Sequence, residues 1–120
     1  FGMKQIGRVN HPAVSGYFLS DGDINLAVLN FKNDAVAGAE RGKDYCGIHH
    51  IGFQVDSLEA IAERLAAAGS ARRDDVNEAL GVGNSSQRHA NVEVKYSGPD
   101  GIMLDVSETG WVMTPPEEHR

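Results

Sequence analysis

The stretch His49-His50-Ile51-Gly52-Phe53-Gln54-Val55-Asp56-Ser57-Leu58, followed by a run ending Ala66-Ala67-Ala68-Gly69, decides how the rest of the chain is read. Residues 48–55 alternate. Ile51, Phe53 and Val55 fall with His49 on one side of an extended chain, and His50, Gly52 and Gln54 fall on the other. The period then changes, because Leu58, Ile61, Ala62 and Leu65 recur at helical spacing and make one apolar stripe. Asp56 with Glu59 three residues on has the form of a capping box. Gly69 supplies the left-handed stop that ends such a helix. The apolar set of the strand must therefore face the helix, which leaves His50 on the opposite surface of the sheet.

Downstream, Asn91 to Tyr96 and Ile102 to Ser107 read as two strands joined by the turn Gly98-Pro99-Asp100-Gly101. In the second of these, Ile102, Leu104 and Val106 form the core set, and Met103, Asp105 and Ser107 face away. Residues 70–90 are polar and read as an irregular loop, with room for a short strand near Arg72. Upstream, strands are predicted at 4–9, 15–20 and 24–31, with a turn at Asn10-His11-Pro12. Asp21-Gly22 between apolar runs predicts a type I′ hairpin. Ile24, Leu26 and Val28 share one face of the third strand, and Asn25 lies on the other. Residues 32–46 read as a long connection. The order β-β-β, connection, β-α-β-β defines an α+β class rich in antiparallel hairpins.

Composition narrows the functional classes. The chain has 120 residues with 11 basic and 17 acidic side chains, a formal charge of −6. Arg72-Arg73 is the one basic pair, so there is no cationic stripe with which to bind nucleic acid. Nothing approaches the ~18 apolar residues of a membrane span. A single cysteine, Cys46, excludes a disulfide framework. The start Phe1-Gly2-Met3-Lys4 lacks the basic and apolar regions of a secretory signal, so a cytoplasmic location is expected.

Strand parity places three hydrophilic groups, His50, Asp105 and Asn25, on faces turned away from the helix. An imidazole and a carboxylate on one sheet surface suit a divalent metal, although a sheet with one wetted face accounts for the same pattern. Glu93 and Lys95 share a strand face; they suit either the lining of a pocket or a wetted surface, and the wetted surface is the simpler reading. His49 falls with the apolar set and reads as structural; His11, His89 and His119 lie in loops or the tail. Asp21-Gly22-Asp23-Ile24-Asn25 opens like a calcium loop but has Leu26 where glycine is required and Lys32 where the closing glutamate belongs. Gly81-Val82-Gly83 lacks the strand-to-helix setting of a nucleotide fingerprint.

The run His49 to Leu58 with its Gly69 stop, together with Gly98-Pro99-Asp100-Gly101-Ile102-Met103-Leu104-Asp105, resembles a βαβββ module of the vicinal oxygen chelate superfamily. That group includes glyoxalase I, methylmalonyl-CoA epimerase, extradiol dioxygenases and the fosfomycin and bleomycin resistance proteins. Phe1-Gly2-Met3-Lys4 resembles the end of a first module's helix, and Ser20-Asp21-Gly22 to Leu29 its closing hairpin. The resemblance implies paired βαβββ modules with the first strand and helix of the first module lacking. It divides the chain into a remnant of the first module (1–31), a linker (32–46), a second module (47–111) and a tail (112–120).

The same resemblance implies a divalent metal ion with His50 and Asp105 as ligands, and a substrate pocket that includes Asn25, Gln54 and Met103. Asp105 and Asn25 both stand where the family usually has Glu. Asp reaches roughly 1.3–1.5 Å less far, and Asn brings no charge. A fourth ligand would come from the absent first strand. The implied activity is that of a lyase or isomerase in which the metal chelates vicinal substrate oxygens. The alternative is a metal-free module that sequesters a ligand, as the bleomycin-binding members do. A first module without its helix leaves the Ile24, Leu26 and Val28 face uncovered, and a homodimer is expected.

Overall fold

A computed structural model describes residues 1–82 and 93–111. The chain divides into two compact units, with the boundary between Asp44 and Tyr45.

The first unit is an antiparallel meander of β1 (Lys4–Asn10), β2 (Val14–Ser20) and β3 (Asn25–Phe31), ordered β1-β2-β3. The β1–β2 corner is the expected turn, closed by reciprocal backbone bonds between His11 and Val14. The β2–β3 hairpin forms, but not as type I′. Ser20 pairs with Asn25, and Asp21 Oδ1 accepts from the backbone N–H groups of Asp23 and Ile24. An aspartate that folds its side chain onto the following backbone replaces the second left-handed residue that type I′ requires. On β3 the alternation is as expected: Leu26 and Val28 are about half exposed, 45% and 52%, and Ala27 and Leu29 are less so. The segment read as a connection contains one helical turn, α1 (Asp34–Ala37), capped by Asn33 Oδ1 accepting from Val36 N–H.

In the second unit, β4 (His50–Gln54), α2 (Leu58–Ala67), α3 (Asp74–Ala79), β5 (Val94–Ser97) and β6 (Met103–Ser107) build a sheet ordered β4-β6-β5. β4 runs parallel to β6, as a strand–helix–strand crossover requires, and β5 runs antiparallel to β6. The cap of α2 lies one residue later than the sequence suggests. Ser57 Oγ accepts from Ala60 N–H, and Leu58 N–H is taken by the Glu108 carboxylate, so the Asp56–Glu59 box is not used. Gly69 closes the helix at φ 77° as expected. The turn before β6 is a short 3-10 segment, Pro99–Gly101, with Asp100 at φ 56°. Residues 74–79, read as loop, form α3. The extra strand near Arg72 is a single bridge to Tyr96.

The core of this unit is Val94, Tyr96 and Val106, over which Val55, Leu58, Ile61, Ala62 and Leu65 pack. Each such side chain, fully buried, contributes about 1.5–3 kcal/mol. Ile51 and Phe53 are not part of this core and remain 42% and 51% exposed, contrary to the expectation that they lie under the helix. The reason is strand order: β4 is an edge of its sheet, and the helix lies over residues of β5 and β6.

Candidate functional site

The register of the second sheet assembles the site. His50 stands opposite Met103, Gly52 opposite Asp105, and Asp105 opposite Lys95. All belong to the face turned away from α2. His50 and Asp105 therefore come together as strand parity requires, with Nε2 3.5 Å from Oδ2. The other ring nitrogen of His50 lies 2.9 Å from Nδ1 of His49, which fixes the ring between a neighbour and the carboxylate. His49 also meets Tyr45 edge to face.

Two further members were read in the sequence as solvated and are not. Lys95 is only 4% exposed, and Glu93 lies half-buried beside it. Lys95 Nζ donates to Asp105 Oδ2 at 2.7 Å and lies 3.6 Å from Glu93 Oε2. Asp105 itself is completely buried. Its Oδ1 accepts no hydrogen bond among the described residues.

The protonation states follow from burial and neighbours. Burial, and then hydrogen bonding and charge from Asp105, push the Glu93 carboxyl up to about 7, against opposing pulls from Lys95 and the Trp111 indole. Burial alone would raise Asp105, but Lys95, His50 and hydrogen bonds outweigh it and hold the group below the usual carboxylate range. Near neutrality the pair is therefore passing from one shared proton to none, and burial favours Glu93 as the group that carries it.

Of the other expected pocket residues, Met103 is fully buried on the His50 side of β6. Gln54 lies on the same face at the end of β4, where its Nε2 donates to the Glu108 carbonyl. Asn25 opens β3 in the first unit. The signal that would have revealed Lys95 is the Asp itself: a carboxylate at a core-strand position needs a buried partner, and the antiparallel register puts position 95 directly across from it.

His50, Glu93 and Asp105 each offer a ligand atom within 4.8 Å of the others, and one imidazole with two carboxylates is a donor set suited to a divalent cation. Lys95 already supplies the positive charge there. A divalent ion held by these three groups would lie roughly 4–5 Å from the ammonium, where +2 faces +1 with a repulsion on the order of 7 kcal/mol at an effective dielectric near 20. That is a large share of the roughly 10–16 kcal/mol that a full structural zinc site supplies. As arranged, the group does not fit the ion.

A family model, Glyoxalase/Bleomycin resistance protein/Dioxygenase superfamily, matches residues 1–106. The chain belongs to this superfamily, and its mixed α+β architecture of two three-stranded sheets with few helices is consistent with a glyoxalase-like fold. A search of curated proteins finds no match. No helix among the described residues is long and apolar enough to cross a membrane.

Proposed function

We propose that the chain binds a small oxygen-bearing organic molecule on the polar face of β4-β6-β5 and carries out a proton transfer on it, of the lyase or isomerase type. The observation that supports this is the gathering of His50, Glu93 and Asp105 within 4.8 Å on one sheet face. A carboxyl poised near neutrality can both give and take a proton at working pH. Glu93 has that character and is the proposed acid–base group. His50, held through one nitrogen by His49, presents the other toward Asp105 and would orient a substrate oxygen. Lys95 and Asp105 keep the surroundings of that oxygen polar without bulk water.

The metal-assisted form of this chemistry requires Lys95 to leave Asp105. The sequestering module of the second sequence reading requires only the binding half of the proposal. One experiment separates them. The protein is titrated with catechols, 2-oxo acids and hydroxyketones, with the fluorescence of its single tryptophan, Trp111, as readout. Exchange of the α-protons of any binder into heavy water is then followed by NMR. Saturable binding that weakens at least about ten-fold in His50→Ala is expected, with proton exchange lost in Glu93→Gln while binding persists. Binding without exchange leaves a sequestering protein. No saturable ligand, or exchange undiminished in Glu93→Gln, overturns the reading.

We further propose that the chain pairs with a second copy of itself through the uncovered face of β3, where Ile24, Leu26 and Val28 are 60%, 45% and 52% exposed.

A further inference from the structure

The donor cluster and the lysine inside it point to an electrostatic substitution. We propose that the Lys95 ammonium is the resident cation of this site, standing in the place a divalent metal would take, so that the site works without metal and carries a latent metal site beneath the lysine.

Two independent features support the assignment. The first is the position of the charge. Lys95 Nζ contacts Asp105 Oδ2 at 2.7 Å and Glu93 Oε2 at 3.6 Å, so one ammonium serves both carboxylates of the three-donor group. The second is how firmly that position is built. Asn77 of α3, 1% exposed, grips the backbone of Lys95 from both sides: Lys95 N–H donates to Asn77 Oδ1 at 2.9 Å, and Asn77 Nδ2 donates to the Lys95 carbonyl at 3.2 Å. Arg73 N–H adds a second bond to the same carbonyl. A solvated surface lysine has no use for a buried amide clamp on its own peptide. This one is held directly opposite Asp105 in the ladder, where the side chain can only run along the polar face.

The chemistry is consistent. An ammonium has donors but no empty orbital, so it steadies negative charge on a ligand oxygen through hydrogen bonds and charge. It needs no chelate geometry, which relieves the site of the short reach of Asp105. Removing the ammonium leaves one imidazole and two carboxyl groups whose ligand atoms lie within 4.8 Å of one another, a three-donor set for a divalent ion. This assignment needs only the geometry of the site and holds whichever ligand the site takes.

The test is metal binding by the whole chain. Chelator-treated wild-type protein is dialysed against Mn²⁺, Ni²⁺ or Zn²⁺, with uptake read by elemental analysis and stability by thermal melting. No stoichiometric uptake and no change in melting are expected. Lys95→Met is expected to bind one equivalent at least about a hundred-fold more tightly than the wild type and to be stabilised by it. Adding Asp105→Asn to that variant should abolish the gain. One equivalent of metal in the wild type, lost in His50→Ala, overturns the proposal. So does a folded Lys95→Met protein with no more affinity than the wild type. If Lys95→Met folds neither with nor without metal, the wild-type titration decides by itself.

Discussion

Gly52 of β4 receives the indole of Trp111: a Cβ built on this glycine would overlap the six-membered ring and stand 2.6 Å from Cη2. Gly52 lies directly opposite Asp105 on the polar face, so the tryptophan closes over the site at the one β4 position without a side chain. The same indole favours the charged form of the Glu93 carboxyl, against the burial that raises it. Gly52→Ala should therefore expel the ring. The added methyl improves strand propensity slightly, but overpacking costs about 1–3 kcal/mol and wins. Urea unfolding should show that loss, and emission of the sole tryptophan should move to longer wavelength. An unchanged spectrum would mean that the ring does not rest there.

The Lys95–Asp105 pair is buried on both sides, 6% and 0% side-chain exposure. Removing one partner leaves the other charge stranded, so Asp105→Leu alone should lose about 3–5 kcal/mol. Lys95→Met with Asp105→Leu removes both charges and should recover most of that loss, because a buried ion pair is worth little more than apolar groups of like volume. The double-mutant cycle checks it: two singles that add in the double variant would show that the charges do not interact.

Asn77 is a separate lever on the same residue. Asn77→Ala removes both bonds to the Lys95 backbone and leaves the Lys95 N–H buried without its acceptor. The expected loss is about 1–3 kcal/mol. Asn77→Asp keeps the acceptor but sets a buried carboxylate against the Lys95 carbonyl, and should lose more. Chemical denaturation of the two variants ranks them, and the reverse order would contradict the clamp.

Much of this arrangement is legible in the sequence. Period-two alternation in 48–55 and 102–107 places His50 and Asp105 on one face, because parity alone decides which way a strand residue points. Parity does not say how deeply a residue is buried, so the pattern shows Glu93 and Lys95 on one face without showing that they are enclosed. The Lys95 backbone is held by Asn77 of α3, and α3 is too short to show a helical period. Strand order is equally silent in the pattern, which is why Ile51 and Phe53 read as core although they lie on an edge. The turn at Asp21-Gly22 and the cap at Ser57 were each settled by which nearby oxygen reaches a backbone N–H first, a competition decided by local geometry.

Glu93 should give the fold an acid preference. Its folded-state value, about 7, is above the ordinary glutamate value of 4.5. The native chain therefore holds more protons than the unfolded chain between those limits, and stability falls as pH rises through that window and levels off above it. The loss is at most about 3 kcal/mol, reduced by solvent because the side chain keeps 22% exposure. Asp105 works the other way, since its value is held below 3.8: its contribution is present above that pH and is lost as pH falls further. Urea midpoints at pH 5 and pH 8 measure the Glu93 effect. Glu93→Gln should flatten the difference, and a variant that keeps the wild-type slope would assign the titration elsewhere.

The uncovered face of β3 sets the last expectation. Ile24, Leu26 and Val28 stand in a row, and β3 is an edge strand of its sheet. In the second unit the equivalent burden is carried by α2, whose stripe of Leu58, Ile61 and Leu65 covers β5 and β6. A sheet with an exposed apolar face and an open edge is stabilised by meeting another sheet. Light scattering at micromolar concentration should give twice the mass of one chain. Leu26→Glu with Val28→Lys replaces two apolar side chains already about half exposed, so it should cost the isolated unit little while moving the mass to that of a monomer. A wild-type monomer, or a variant that remains dimeric, would show that this face is not what joins the copies.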